Sequence, residues 1–127
     1  MAGFRERVGL VFRDTLQLHA EEANASSLFR RPRHRLDPAR RAAFDRWYSK
    51  EHLHAAKSFG VEKAWRFWSL SDPSLHQATY RFSDQAALDR VMNGEDLKRL
   101  VADFNRDWPD ITRTRELLVL AEEFVAA

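Results

Sequence analysis

The chain has 127 residues, the length of one domain and too short for two of ordinary size. It contains no cysteine, which excludes a disulfide framework, thiolate catalysis and cysteine-ligated metals. With 31% charged residues and a net charge of +2, the composition is that of a folded soluble domain. Nine Phe, four Trp and two Tyr require a well-filled core, an apolar interface or an aromatic-lined pocket. No run approaches the ~18–20 apolar residues of a membrane span and no secretory signal is evident, so we expect a cytoplasmic protein without membrane contact.

The first segment is predicted to form an amphipathic helix. Between Phe4 and Ala23, apolar residues recur at spacings of three and four, as in the stripe of a helix. The stretch Leu28–Leu36 contains Pro32, which disfavours a helix and is compatible with an edge or bulged strand. We therefore expect an N-terminal helical extension over residues 1–27 and a single domain over residues 28–127.

The strongest local signal is a helix start, with Asp37 as N-cap and Pro38 at the first helical position. Gly60 can end this helix. Five apolar residues keep helical spacing between these two points: Phe44, Trp47, Tyr48, Ala55 and Phe59. The sequence therefore predicts a helix that carries several aromatic rings toward the core.

The apolar period then changes to two, which indicates strands. Val61–Leu70 alternates, Asp72-Pro73 forms a turn, and Leu75–Phe82 alternates again. In the second strand one face carries His76, Ala78, Tyr80 and Phe82. Two such strands joined by a short turn predict an antiparallel hairpin.

Two helices and a last strand complete the chain. Ser83-Asp84 caps a helical region, Asn93-Gly94 interrupts it, and Glu95 begins a second helix that ends at Trp108-Pro109. The last strand is predicted at Thr112–Ala121. The order is a helix followed by β-α-β-β-α-β, which predicts a ferredoxin-like α+β fold: an antiparallel sheet with two main helices on one face.

A single sheet of this kind has one open face. Here that face is expected to carry aromatic side chains, too much apolar surface to leave in water. A second copy of the chain is the simplest cover, so we expect a homodimer that forms through the sheet face.

The segment Phe44–Leu53 reads F-D-R-W-Y-S-K-E-H-L. It resembles the F-x-x-W-Y-x-x-E-H-L signature of dimeric α+β-barrel proteins, and of their EthD-like branch in particular. The resemblance extends coarsely over Leu28–Phe124, although His54 stands where the family often has proline. It implies two ferredoxin-like subunits with their sheets pressed into a barrel, and a pocket for small hydrophobic or aromatic compounds. Members of the family include isomerases, cyclases, monooxygenases and proteins of unknown activity.

His52 is the main candidate for chemistry, with Tyr48 four residues earlier on the same side of the helix. A histidine at the margin of an apolar face can serve as general acid or base, and Tyr48 could orient a substrate oxygen. The alternative is that His52 is a hydrogen-bonded core residue with no catalytic part. Further residues are expected to line a substrate pocket, unless they only pack the core: Trp47, Trp65, Trp68, His76 and Tyr80.

These features predict binding of a small hydrophobic or aromatic carbonyl compound. If the protein is an enzyme, isomerisation, cyclisation or oxygenation by a cofactor-independent, histidine-based mechanism is expected. No motif in the sequence requires an organic cofactor or a metal. Glu51 and His54 have the Glu-x-x-His spacing of di-iron bundles, but such a site needs a second pair, and the sequence contains none. The alternative is a non-catalytic, stress-related dimeric binding protein.

An RNA-binding sheet is a further alternative, since that class of domain shares the ferredoxin-like topology. One basic cluster favours it: Arg30, Arg31, Arg33, His34, Arg35, Arg40 and Arg41. However, Leu75–Phe82 lacks the glycine-containing aromatic pattern of such domains. Charge on an edge strand also protects against aggregation, which explains the cluster without nucleic acid.

Overall fold

The computed structural model describes residues 7–16, 37–52, 54 and 57–126. Its elements in chain order are β1 (Val8–Thr15), α1 (Pro38–Trp47), a π-helical turn (Tyr48–His52), a 3-10 turn (Lys57–Phe59), β2 (Lys63–Trp68), β3 (Leu75–Phe82), α2 (Gln85–Met92), α3 (Glu95–Asp107) and β4 (Thr112–Val119). The four strands form one antiparallel sheet in the order β2-β3-β1-β4. This is the ferredoxin-like α+β arrangement that the sequence predicted.

The helix expected between Phe4 and Ala23 is wrong over Val8–Thr15, which forms strand β1. This strand lies inside the sheet, with β3 on one side and β4 on the other. Val11 on the outer face is only 2% exposed, so it is buried together with its neighbours Leu10 and Phe12 of the inner face. This run of buried apolar residues interrupts the period of two and gives spacings that a helical stripe also produces. The sheet thus includes residues before the expected boundary at residue 27, whereas Leu28–Leu36 lies outside the described residues.

The predicted helix starts are confirmed, whereas the helix predicted to continue to Gly60 ends as an α-helix at Trp47 and is followed by the π-helical turn and the 3-10 turn. The Asp37 side chain accepts a hydrogen bond from the Ala39 amide at 3.0 Å, and Asp84 accepts one from the Ala87 amide at 2.9 Å. Gly60 has a φ of 79°, a left-handed conformation that glycine adopts without a Cβ clash. These contacts join residues close in sequence, which is why the residue pattern alone could predict them.

The hairpin alternates as expected, with Trp68 opposite His76 and Lys63 opposite Arg81. The inner face of the sheet packs against the helices, and its buried positions on β1 and β3 are Val8, Leu10, Phe12, Asp14, His76, Ala78, Tyr80 and Phe82. Phe44 of α1 lies at the centre of this core, where its ring meets His76 at 5.2 Å and Phe104 at 6.1 Å. The core therefore lies between the sheet and the helices.

The outer face of the sheet is more polar than expected. Arg13 and Glu116 form an ion pair of 2.9 Å there, between β1 and β4. Phe67 on β2 is nevertheless 50% exposed and Leu118 on β4 is 42% exposed. In the described part of the chain, no helix is long and apolar enough to cross a membrane.

Candidate functional site

A narrow apolar cavity lies between the inner face of the sheet and helices α2 and α3. Its described walls are Leu10, Phe12, His52, Phe59, Val61, Tyr80, Phe82, Val91, Leu97 and Leu100. The cavity volume is only about 10 Å³, which is room for about one water molecule. The apolar cavity is therefore a slot with two side chains that carry polar atoms, His52 and Tyr80.

His52 closes the π-helical turn and is 3% exposed. Such turns are rare and frequently occur at functional sites. The His52 ring stacks on Trp47 at 5.1 Å and lies 4.7 Å from the ring of Tyr48. Among the described residues, no group forms a hydrogen bond with its buried Nδ1.

The pKa of His52 is lowered from 6.5 to about 3. Burial is the main cause, and the positive charge of Arg113 is the second. The imidazole is therefore neutral at neutral pH. A neutral imidazole has one ring nitrogen able to accept a proton and one able to donate. His52 thus places a neutral imidazole in a wall that, apart from Tyr80, is formed by hydrocarbon side chains.

Tyr48 is fully buried and its hydroxyl is occupied by two neighbours. Arg113 donates from Nη2 to the Tyr48 hydroxyl at 2.9 Å, and the hydroxyl of Tyr80 lies 3.3 Å away. Burial raises the pKa of Tyr48 well above its ordinary value, so it stays a neutral phenol. Tyr48 is not among the described walls of the apolar cavity. Its hydroxyl instead contacts the hydroxyl of Tyr80, which is one of those walls.

A buried ionic network, which the sequence did not predict, supports these hydroxyls. Asp14 of β1 is 0% exposed and accepts a hydrogen bond from Arg113 Nε at 2.7 Å and another from His76 Nδ1 at 3.0 Å. Arg66 donates from Nε to His76 Nε2 at 3.2 Å. Because Nε2 accepts, the hydrogen of the neutral ring is on Nδ1.

His76 is consequently occupied at both ring nitrogens. Burial lowers its pKa, which agrees with a neutral ring between Arg66 and Asp14. Neither nitrogen is free to ligate a metal or to contact a ligand while these bonds hold. Among the described residues, no group of three or more histidine and carboxylate side chains is placed to bind a metal ion.

The three tryptophans predicted as pocket walls lie in three different places. Trp47 stacks on His52 and donates from its indole to Asp107 at 3.0 Å. Trp68 is on the inner face and donates to Asp45 at 2.8 Å. Trp65 alternates onto the outer face with Lys63, whose amino group lies 5.1 Å from its ring. None of them is among the described walls of the apolar cavity, whereas His52 and Tyr80 are.

The basic cluster is only partly within the described residues. Arg40 forms an ion pair with Asp110, and the Arg41 guanidinium lies 4.1 Å from the ring of Trp68. These two side chains are engaged in contacts within the chain, and the other members lie outside the described ranges.

Sequence reasoning missed Asp14 and Arg113. Arg113 occupies an inward position of β4, in the alternating run Thr-Arg-Thr-Arg. Arg113 and Arg115 lie on the same face of β4, and nothing in that run indicates whether the arginine face or the threonine face is the inward one, because the neighbouring strand and the helices decide it. Asp14 lies within the stretch Phe4–Ala23 that the sequence predicts to be helical, and it is not part of the apolar stripe of that predicted helix.

Sheet order, helix placement and the cavity between sheet and helices define a ferredoxin-like α+β protein. Solved structures of this fold are similar to the chain over nearly its whole length. A variant of SnoaB, a cofactor-independent oxygenase from Streptomyces nogalater, is 13% identical with a TM-score of 0.60 and covers 92% of this chain and 95% of its own. An EthD family protein from Bacillus halodurans is 13% identical with a TM-score of 0.54, covering 92% and 99%. A dimeric ferredoxin-like protein from an uncultured marine organism is 14% identical with a TM-score of 0.51, covering 94% and 98%.

These similarities show the ferredoxin-like α+β fold of the chain. Other similar structures are proteins of unknown function. No protein-family model and no curated protein matches the sequence.

Proposed function

We propose that this protein binds a small hydrophobic or aromatic carbonyl compound at the apolar cavity, whose lining side chains move apart to admit it, and converts it by acid–base chemistry at His52. One observation carries the proposal: the buried Nδ1 of His52 has no hydrogen-bond partner among the described residues, and the side chain lines the cavity. An unpartnered buried polar atom costs free energy. A ligand that offers a hydrogen-bonding group there removes that cost.

The neutral state of His52 suits the role of base. In the proposed reaction, His52 accepts a proton from the carbon next to the ligand carbonyl, and the bond electrons move to the carbonyl oxygen to form an enolate. An anion that forms beside the imidazolium raises the pKa of the imidazole, which offsets the effect of burial. Return of the proton to another atom of the enolate completes an isomerisation. Attack of the enolate carbon on a second carbonyl of the ligand forms a carbon–carbon bond, and the alkoxide that results takes up the proton held by His52 to complete a cyclisation.

The fold supports the same class of chemistry. SnoaB is a cofactor-independent oxygenase with this fold. Addition of molecular oxygen to the enolate carbon is a third outcome: O2 is the oxidant, the enolate electron pair forms the carbon–oxygen bond, and the resulting peroxide takes up the proton held by His52. At 13% identity, the similarity to SnoaB shows a shared fold only. The proposed reaction is therefore argued from the position and burial of His52.

We further propose that the active form is a homodimer joined through the outer face of the sheet. Phe67 is 50% exposed on that face, and Leu118 adds a second apolar side chain at 42%. One of the similar structures is a dimeric ferredoxin-like protein. A dimer of this kind covers the face that an RNA-binding sheet would need.

Titration with aromatic lactones and polyketide-like ketones tests the proposed function. The wild type should bind one or more of these compounds and convert them, whereas His52→Ala should lose conversion by at least about 100-fold, the usual contribution of a general base. His54→Ala is the matched control, because His54 is exposed and lies two residues away. Binding that His52→Ala leaves unchanged, with no turnover in either protein, would instead indicate a non-catalytic binding protein.

A further inference from the structure

A directed chain of hydrogen bonds leads from Arg113 to the apolar cavity. A guanidinium can only donate, so the 2.9 Å contact between Arg113 Nη2 and Tyr48 has Tyr48 as acceptor. Arg113 is itself held in one orientation. Its Nε donates to Asp14, and its guanidinium carbon lies 4.2 Å and 3.8 Å from the ring centres of Phe12 and Phe104.

The next step of the chain has two possible directions. Tyr48 and Tyr80 are joined through their hydroxyls at 3.3 Å, and either could donate. If Tyr80 donated, the hydroxyl hydrogen of Tyr48 would have no acceptor among the described residues, at a site that is 0% exposed. If Tyr48 donates, both of its polar functions are satisfied, and the hydrogen without an acceptor is that of Tyr80, which lines the apolar cavity. Both directions leave one hydroxyl hydrogen without an acceptor among the described residues, but only Tyr80 lies beside the apolar cavity, where a water molecule or a ligand can accept it, so the second direction is favoured.

We propose that Arg113 is a positioning residue that, through Tyr48, makes the Tyr80 hydroxyl a hydrogen-bond donor into the apolar cavity, so that the site selects ligands with an uncharged acceptor oxygen. This inference rests on the proposed function and adds to it the hydrogen-bond donor for the ligand's carbonyl oxygen. In the reaction described above, Tyr80 would donate to the carbonyl oxygen and His52 would contact the neighbouring carbon.

The surroundings favour a neutral oxygen over a carboxylate. Apart from Tyr80 and His52, the described walls carry only hydrocarbon side chains. A carboxylate would lose its hydration there and receive one neutral hydroxyl donor in return, which is unfavourable. A ketone or lactone carbonyl loses far less hydration and gains the same hydrogen bond.

Two probes of matched size test the inference: acetophenone, labelled with ¹³C at the carbonyl, and ethylbenzene, which lacks the oxygen. Tyr80→Phe keeps the ring and removes the donor. We expect this variant to bind acetophenone about five-fold more weakly and ethylbenzene as the wild type does, since one neutral hydrogen bond is at stake. The carbonyl resonance of bound acetophenone should move downfield in the wild type, and this displacement should disappear in Tyr80→Phe.

Tyr48→Phe and Arg113→Lys test the positioning role, because both keep Tyr80. Each should lower acetophenone affinity by about two-fold and reduce the carbonyl displacement, with ethylbenzene binding unchanged as evidence that the cavity is intact. Arg113→Lys keeps the charge beside Asp14, so a protein that folds is expected from at least one of the two variants.

The outcomes separate the two proposals. If acetophenone binds and neither its affinity nor its carbonyl resonance responds to Tyr80→Phe, the inference about Arg113 is wrong and the proposed function stands. If Tyr80→Phe has the expected effect but both positioning variants match the wild type, Tyr80 is the donor without help from Arg113, which also overturns the inference. If neither probe binds the wild type, the apolar cavity is not a ligand site and both proposals fall.

Discussion

Asp14 and Arg113 lie opposite each other on neighbouring strands, and a hydrogen bond of 2.7 Å joins Asp14 Oδ1 to Arg113 Nε. Asp14 is 0% exposed, and its other oxygen accepts from His76. One carboxylate therefore orients both a guanidinium and an imidazole inside the core. The hydroxyls of Tyr48 and Tyr80 depend on that guanidinium for their arrangement.

Asp14→Asn should destabilise the fold strongly. Removing one charge of a buried pair leaves the guanidinium of Arg113 without its counter-charge, which typically costs about 3–5 kcal/mol. Urea unfolding measures the free energy of unfolding of the variant and the wild type. Glu116→Gln is the matched control, because it breaks the Arg13–Glu116 ion pair between the same two strands at an exposed site, where about 0–1 kcal/mol is expected. Equal losses in the two variants would contradict a buried, structurally important pair.

Stability should fall as the pH decreases below about 6.5. Burial lowers the pKa of His52 from 6.5 to about 3, and burial also lowers the pKa of His76. Between the folded and unfolded pKa values the unfolded chain binds a proton that the native state does not, so acid favours unfolding. Each such histidine contributes a slope of up to about 1.4 kcal/mol per pH unit.

His52→Gln isolates the contribution of His52. Between about pH 6 and about pH 4.5 the free energy of unfolding of this variant should decline less steeply than that of the wild type, by about 1.4 kcal/mol per pH unit. The exposed His54→Gln variant is the control and should follow the wild type. Parallel curves for His52→Gln and the wild type would show that His52 takes up its proton as readily in the folded protein as in the unfolded chain.

Phe67→Glu should convert the proposed homodimer to a monomer. Phe67 lies on the outer face of the sheet, where a buried carboxylate at a subunit interface would lose its hydration without a partner. Sedimentation of the variant gives the mass directly. Leu70→Glu serves for comparison, since Leu70 is exposed in the turn of the hairpin and should leave the mass unchanged. A wild type that sediments as a monomer at micromolar concentration would refute the dimer itself.

Gly60→Ala should lower the free energy of unfolding by about 1 kcal/mol, because Gly60 has a φ of 79° and a Cβ is strained there. No atom lies within 4 Å of the position that a Cβ would take, so the cost is conformational and no clash adds to it. Gly60→Asn should cost less, since asparagine tolerates the left-handed conformation better. Chemical denaturation measures the free energy of unfolding of both variants. A larger loss of stability in Gly60→Asn than in Gly60→Ala would contradict backbone strain as the cause.

Part of the candidate site could be predicted from the sequence. His52 was found because it follows an aromatic helical stripe in a block that resembles a known signature, and Tyr80 because it alternates inward on a strand. Trp65 alternates onto the outer face of the same hairpin, away from the apolar cavity. Tryptophan content alone could not show this, since both faces of β2 carry aromatic rings.

The sequence by itself determined the elements whose signals are local. Asp37 and Asp84 cap helices through amides two and three residues away, and Gly60 supplies a turn conformation without any tertiary partner. Period-two alternation likewise placed β3 at the residues where it lies. Hydrogen bonds within a few residues make such features readable in the chain.

Tertiary structure alone decided the identity of β1 and the polar core. Val8–Thr15 has the spacing of a helix, yet it is a strand because β3 and β4 supply hydrogen-bond partners on its two sides. Asp14 meets His76 and Arg113 across separations of 62 and 99 residues. No periodicity encodes a pairing at that distance, because it arises only once the strands lie side by side and bury the charges together.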